Sequence, residues 1–391
     1  MTQRTSVKPK LKYFTNYFIV GAFFLLFLII DLTAGIRAST AELLTRIAYS
    51  IILAVSLNIV VGFLGELSLG HAGFMCVGAY IGGLCSNYLH EIISSNLLVL
   101  VIAMLIGALT AAIMGLLIGI PTLRLKGDYL AISTLAFGEI VRTIFKNQKI
   151  FGLGLGLSTT RYGKGEIIPV KKGLYIAAFV MVFVTIFVTQ NMMRSKQGRA
   201  IKAIRDNEIA ARACGVNVTR YKLVAFVISA AFAGIAGVIY ANLNSLVENT
   251  SFDFNYSIEI LVMVVLGGMG NITGSILAAA ALTFVNVKLT VMLSGDMAAI
   301  KNLVYALILI VLVVYNNAPA LKGLRERFNL FNFYLRLKAK LAPRSVGDTE
   351  PPATAKWDKI PTKIAMNSIL STDVTPDKTY TPDKPSGKED K

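Results

Sequence analysis

The sequence predicts an all-α fold: a polytopic membrane helix bundle of about ten transmembrane segments, some of them broken by glycine, with a disordered cytoplasmic tail. Three observations predict it. Of 391 residues, 55% are hydrophobic and only 16% charged, where an ordinary soluble chain is about a quarter charged. Mean hydropathy is +0.64. The apolar residues fall in runs near the roughly 20 residues that a spanning helix needs, and the formal net charge of +17 is concentrated between the runs. A closed barrel would show short alternating segments instead.

The candidate spans, in order, are 13–31, 47–64, 67–86, 97–120, 128–145, 173–193, 222–243, 257–268, 271–292 and 301–317. The first follows four basic residues and precedes Thr33-Ala34-Gly35. It reads as an uncleaved first helix, because no clean A-x-A site follows it. The segment 128–145 is unusual in holding Glu139 and Arg142, and 257–268 is short. Residues 319–342 alternate Leu321, Leu324, Phe328 and Phe331 with Arg325, Arg327, Arg336 and Lys338. That pattern suits an amphipathic juxtamembrane helix, or a loose segment there. From 343 to 391, seven of the eleven prolines occur among Lys, Asp, Ser and Thr, the composition of a disordered tail.

Charge sets the expected orientation. Residues 1–16 hold four Lys/Arg and no acid, and 194–222 hold eight Lys/Arg against Asp206 and Glu208. Residues 322–391 hold 14 against nine. With ten spans, parity places all three clusters in the cytoplasm, together with both termini, as the positive-inside bias requires. The intervening segments 87–96, 244–256 and 293–300 contain no Lys or Arg. Segment 146–172 disagrees, falling outside with six basic residues. Nearly all the surplus thus encodes orientation in a lipid bilayer, and no nucleic-acid partner is needed to explain it. The expected domain plan is a cytoplasmic N-terminus over 1–16 and a transmembrane bundle over 17–318, with the loop 194–222 inside it.

Four segments stand out. Residues 62–83 hold seven glycines around Gly65, Glu66, Ser68, His71 and Gly73. Small residues let membrane helices approach closely or break. An ionisable group at mid-membrane costs about 2.5–3.5 kcal/mol and usually faces a bundle interior or a path. Glu66 therefore either lines a path or marks a short cytoplasmic turn. Residues 266–275 contain Gly267, Gly268 and Gly270 between two apolar runs. Glycine breaks in both halves of a chain point to a transport path, and a tight hairpin is the plainer alternative. Glu139 and Arg142 share a helical face and can pair, structurally or along a path. Within 194–222, Asp206 is the expected N-cap, Glu208 lies in the first turn, and Gly215 is a natural stop. They bound a helix of about two turns, roughly 12 Å. Its edge of Ile209 and Ala213 wants a partner surface, and Ala210 and Ala211 favour a groove over lipid.

Self-contained chemistry is missing. Gly163-Lys164 is followed by Gly165, so no Walker motif forms, and Gly152-Leu153-Gly154-Leu155-Gly156 does not continue as a dinucleotide fingerprint. Three cysteines (Cys76, Cys85, Cys214) and two histidines (His71, His90) suit neither a disulfide framework nor a metal set. No catalytic residue, metal or cofactor is expected. An ion-coupled secondary transporter working alone should carry coupling carboxylates in mid-span and need no docking helix. A membrane enzyme should show paired carboxylates or a nucleophile and base.

Four ordered motifs carry a resemblance. They are Gly65-Glu66-Leu67-Ser68-Leu69-Gly70-His71-Ala72-Gly73-Phe74, Leu123-Arg124-Leu125-Lys126-Gly127-Asp128-Tyr129 with Ala131 to Ile140, Gly198-Arg199 through Gly215-Val216-Asn217, and Leu266-Gly267-Gly268-Met269-Gly270. From about 47 to 317 the chain resembles LivM-type permeases of high-affinity branched-chain amino acid ABC importers. The resemblance implies a second, LivH-like permease subunit, two cytoplasmic ABC ATPases and an external solute-binding protein. It implies that Arg205, Asp206, Glu208, Ala210, Ala211 and Gly215 form the ATPase-coupling segment. The general coupling motif is E-A-A-x-x-x-G, and here Glu208-Ile209-Ala210-Ala211 reaches Gly215 one residue late. Urea, short amides and other amino acids are the solutes of related permeases.

Overall fold

The computed structural model describes residues 38–93, 95–125, 127–159 and 167–292, with side chains from 173 in the last stretch, and the isolated positions 17, 20, 21, 24, 304, 306, 307 and 310. All lie within the unit Met1–Pro319. Segments 1–16, 319–342 and 343–391 fall outside the described residues, as do most of 13–31 and 301–317.

Ten α-helices carry the fold among the described residues: α1 (Ala38–Asn58), α2 (His71–Ile92), α3 (Asn96–Thr122), α4 (Asp128–Asn147), α5 (Ile167–Arg194), α6 (Lys196–Asp206), α7 (Glu208–Ala213), α8 (Val218–Leu243), α9 (Phe254–Gly267) and α10 (Ile272–Met292). A π-helical turn, Ile59–Leu64, extends α1. Among the described residues, five segments are long and apolar enough to cross a membrane: Ala38–Leu64, Asn96–Thr122, Gly173–Arg194, Val218–Leu243 and Ile272–Met292. Helices α2 and α4 do not reach that apolarity, and α9 is short at 14 residues. Their Glu, His, Arg and Gly residues need protein around them.

Helix α1 is the hub, its apolar window wholly enclosed by other helices. Around it lie α5, α8, α9 and α10, while α2, α3 and α8 pack on one another through small residues. A Cβ at Gly78 would collide with the Gly234 backbone, and one at Gly234 would meet Gly107 and Ala111. Without a hydrophobic drive between helices in lipid, such close van der Waals contact holds them together. Along α3 the contacts descend regularly against α8: Gly107 with Val238, Gly115 with Ala230, Gly119 with Phe226. The two helices are therefore antiparallel. The opposite face of α3 exposes Leu105, Leu109, Ile113, Leu116 and Ile120, a stripe suited to lipid. Pro121 sits in its last turn, where the missing N–H limits continuation.

The two ends of the bundle differ. At one end lie the turn 65–70, helices α6 and α7, and the break 268–271. At the other, Leu157–Ser158 pairs antiparallel with Leu246–Val247, and Asn87 Nδ2 donates to the Ser158 carbonyl at 2.9 Å. Segment 146–172 thus begins at the same end as 87–93 and 244–253.

Candidate functional site

The site is built where the glycine breaks meet the α6–α7 corner. The turn after α1 arises because Gly65 adopts φ +82, a left-handed backbone that glycine takes without strain. Its neighbour Glu66 accepts from Lys222 Nζ at 2.5 Å. Lys222 also donates to Glu208 Oε2 at 3.2 Å, and Arg212 pairs with Glu208 at 2.8 Å. Two cations and two carboxylates form a neutral cluster. The Lys222 side chain is only 4% exposed, and a cation so buried needs such partners. Glu66 thus lies in the non-helical turn 65–70, held to the α7 corner.

Arg205 joins the second break to the first. Its Nη1 donates to the Gly62 carbonyl at 2.5 Å, and its stem packs on Gly65. A Cβ on Gly270 would lie 3.1 Å from its guanidinium. Asn58 completes the junction from inside. Its Oδ1 accepts from Gly270 N at 2.8 Å and its Nδ2 donates to Ser275 Oγ at 3.0 Å. Gly62 is obligatory here, since a Cβ would strike both Asn58 and the Gly270 backbone. Gly268 and Gly270 have φ +90 and +81, and Gly267 lies against Gly274, so 267–274 is a tight hairpin.

Helix α7 differs from expectation in two ways. Asp206 is not its N-cap: it ends α6, and Asn207 caps α7, its side chain accepting from Ala210 N at 3.0 Å. Asn207 takes φ −159, the extended backbone that a cap needs, while Asp206 continues the preceding helix. With six residues, α7 is about 9 Å long, shorter than the predicted 12 Å. The segment 194–222 is also no open loop, since α6 fills its first half. Gly215 does end α7, at φ +81 with open space around it. Val216 N donates back to Ala211 O at 3.1 Å, a C-terminal closure. Ala211 is buried, Ala210 and Ala213 are exposed, and Ile209 is 79% exposed.

The remaining candidates lie outside this junction. His71 opens α2, buried, with Nε2 2.8 Å from Ser56 Oγ. The Ser68 hydroxyl is buried with no hydrogen-bond partner among the described residues. Gly73 packs against Gly138 of α4, one turn of which carries Glu139 and Arg142. Those two pair at 2.7 Å and stay partly exposed, separate from the Lys222 cluster. Sequence reasoning assigned Gly65, Glu66, Arg205, Glu208 and Gly270 to two different jobs, and the fold brings them together. It missed Lys222, counted only as an orientation charge, and Asn58. A lone Asn in the apolar run 47–64 was the available signal.

Residues 39–313 match the family described as branched-chain amino acid transport system / permease component. The chain belongs to that family. Among its relatives this permease-family chain is 38% identical over 273 residues to the high-affinity branched-chain amino acid transport system permease protein LivM of Salmonella typhimurium. It is 39% identical to LivM of Escherichia coli. In each case the match covers 63% of this chain and 63% of the relative. It is 23% identical to the corresponding LivH protein of Salmonella typhimurium, over 67% of this chain and 88% of that one. No solved structure matches the permease-family chain.

Proposed function

We propose that this chain is the permease subunit of an ABC importer that moves leucine, isoleucine or valine across the bacterial inner membrane. ATP hydrolysis on partner subunits drives it, and the chain itself is no enzyme and needs no cofactor. The similarity to two LivM proteins carries the reading. The exposed, capped helix α7 adds a geometric reason, because it offers a separate ATPase a handle tied to the first glycine break through Lys222 and adjoining α6, whose Arg205 meets both breaks. About ten spans, cytoplasmic termini and a cytoplasmic tail over 343–391 complete the plan. A LivH-like permease would pair with this one, two ABC ATPases would take α7, and an external solute-binding protein would deliver the solute. Residues Gly65, Glu66, Ser68, His71, Gly73, Glu139, Arg142, Gly267, Gly268 and Gly270 would flank the path.

The decisive experiment is reconstitution in liposomes with those partners. ATP-dependent uptake of labelled leucine is expected, and this chain alone should move none. Uptake by the chain alone on a proton or sodium gradient would overturn the reading in favour of a secondary transporter. A second reading, a permease for a related solute, has one specific support: 29% identity over 192 residues to an autoinducer 2 import system permease protein, LsrC, of an Enterobacter strain. Competition of leucine uptake by other solutes separates the two.

A further inference from the structure

Lys222 joins two segments that are distant in the chain, one 156 residues and the other 14 residues from Lys222 itself. One is the turn between the π-helical end of α1 and the start of α2, through Glu66. The other is the first turn of α7, through Glu208. We propose that Lys222 is a positioning residue for energy coupling, a strut that makes the 65–70 turn follow any displacement of α7. The proposal deepens the importer reading and rests on it.

The physical case has three parts. First, α7 is loosely seated. Its Ile209, Ala210, Arg212 and Ala213 face outward, and among α7 residues only Ala211 is buried. A push on such a helix needs a firm link to reach the bundle. Second, the link is strong where others are weak. Lys222 is buried and charge-assisted on both sides, whereas the Arg212 side chain is 66% exposed and its pair is screened by solvent. Third, the receiving turn is built to move as a unit. Gly65 at φ +82 opens it, Gly70 packs on the Thr134 backbone of α4, and Leu69 N donates to Thr134 Oγ1 at 3.1 Å. Beyond it stands His71. A shift of Glu66 therefore reaches α1, α2 and α4 together. Lys202 over the Phe63 ring at 5.7 Å and Arg205 on Gly62 hold α6 against the π-helical end of α1 that leads into this turn, so the charged groups gathered there are Lys202, Arg205, Lys222 and Glu208, with Arg212 on Glu208.

The test is the amount of solute taken up per ATP hydrolysed, in proteoliposomes holding the whole assembly. For Lys222→Met we expect a ratio lower by about tenfold, with ATP hydrolysis and co-purification of the ATPase kept within about twofold, in the range of couplings carried through packed networks. Glu66→Ala, which leaves Lys222 on Glu208, should lower the ratio similarly, and Lys222→Arg should restore most of it. If Lys222→Met does not assemble, Glu66→Ala decides. An unchanged ratio in the variants, or uptake and hydrolysis falling in parallel, overturns the proposal while the importer reading stands. A wild-type assembly that hydrolyses ATP but takes up no solute overturns that reading and the strut with it.

Discussion

Single polar residues in the apolar interior define the junction of the glycine breaks. Asn58 is fully buried and serves both sides of its carboxamide, on Gly270 N and Ser275 Oγ. Asn58→Ala leaves a backbone donor unsatisfied, a loss of about 1–3 kcal/mol. Denaturant titration of the purified protein in detergent should show that drop, and an unchanged midpoint would remove Asn58 from the junction. Glycine works at the same scale but by absence. Gly78→Val drives a side chain into the Gly234 backbone and should cost about 1–3 kcal/mol. Gly173→Val, where nothing lies within 4 Å of the added Cβ, should be neutral in the same assay. The sequence shows both glycines equally, and only the packing tells them apart.

At the scale of elements, α7 is the shortest α-helix described and depends on its ends. Six residues cannot hold a helix in water on propensity alone. Asn207 and Gly215 close its two ends. Asn207→Ala should cost about 1 kcal/mol. Hydrogen exchange at the Ala210 and Ala211 amides should then quicken by about fivefold. Equal protection in the variant would mean that partner packing, not the cap, orders α7. The sequence located this helix to within two residues and identified its stop. It assigned the cap one residue early because Asp and Asn are comparable caps, and only backbone geometry chose between Asp206 and Asn207. Helix α6 escaped notice because Lys196–Asp206 reads as a basic loop, yet Gly198, Ile201 and Ile204 bury one face of it.

Across the whole molecule, the arrangement of ends makes a testable statement about sidedness. Cys214 is exposed beside α7, and Leu155, 83% exposed, lies at the opposite end. If the α7 end is cytoplasmic, a membrane-impermeant thiol reagent should label Cys214 only in inverted vesicles. It should label a Leu155→Cys variant, with Cys214 changed to Ser, only from the outside. The reverse pattern would invert the topology. Segment 146–172, whose basic residues argue against an external position, begins at the Leu155 end because Leu157 pairs with Val247. The pairing fixes the end of the bundle at which the segment begins, and the labelling decides which side of the membrane that end faces.

By itself the sequence determined that this is a helical membrane chain, where five of its apolar spans run, and which family it resembles. Those properties follow from composition and from runs of consecutive residues, which are local. It also marked the glycine breaks and the capped helix as special without saying what they meet. Only the tertiary structure decided that Glu66, Lys222 and Glu208 share one neutral cluster, and that Arg205 and Asn58 bind the two breaks to each other. These contacts join residues from distant parts of the chain, and a buried charge reveals its partners only once folding has removed the water between them.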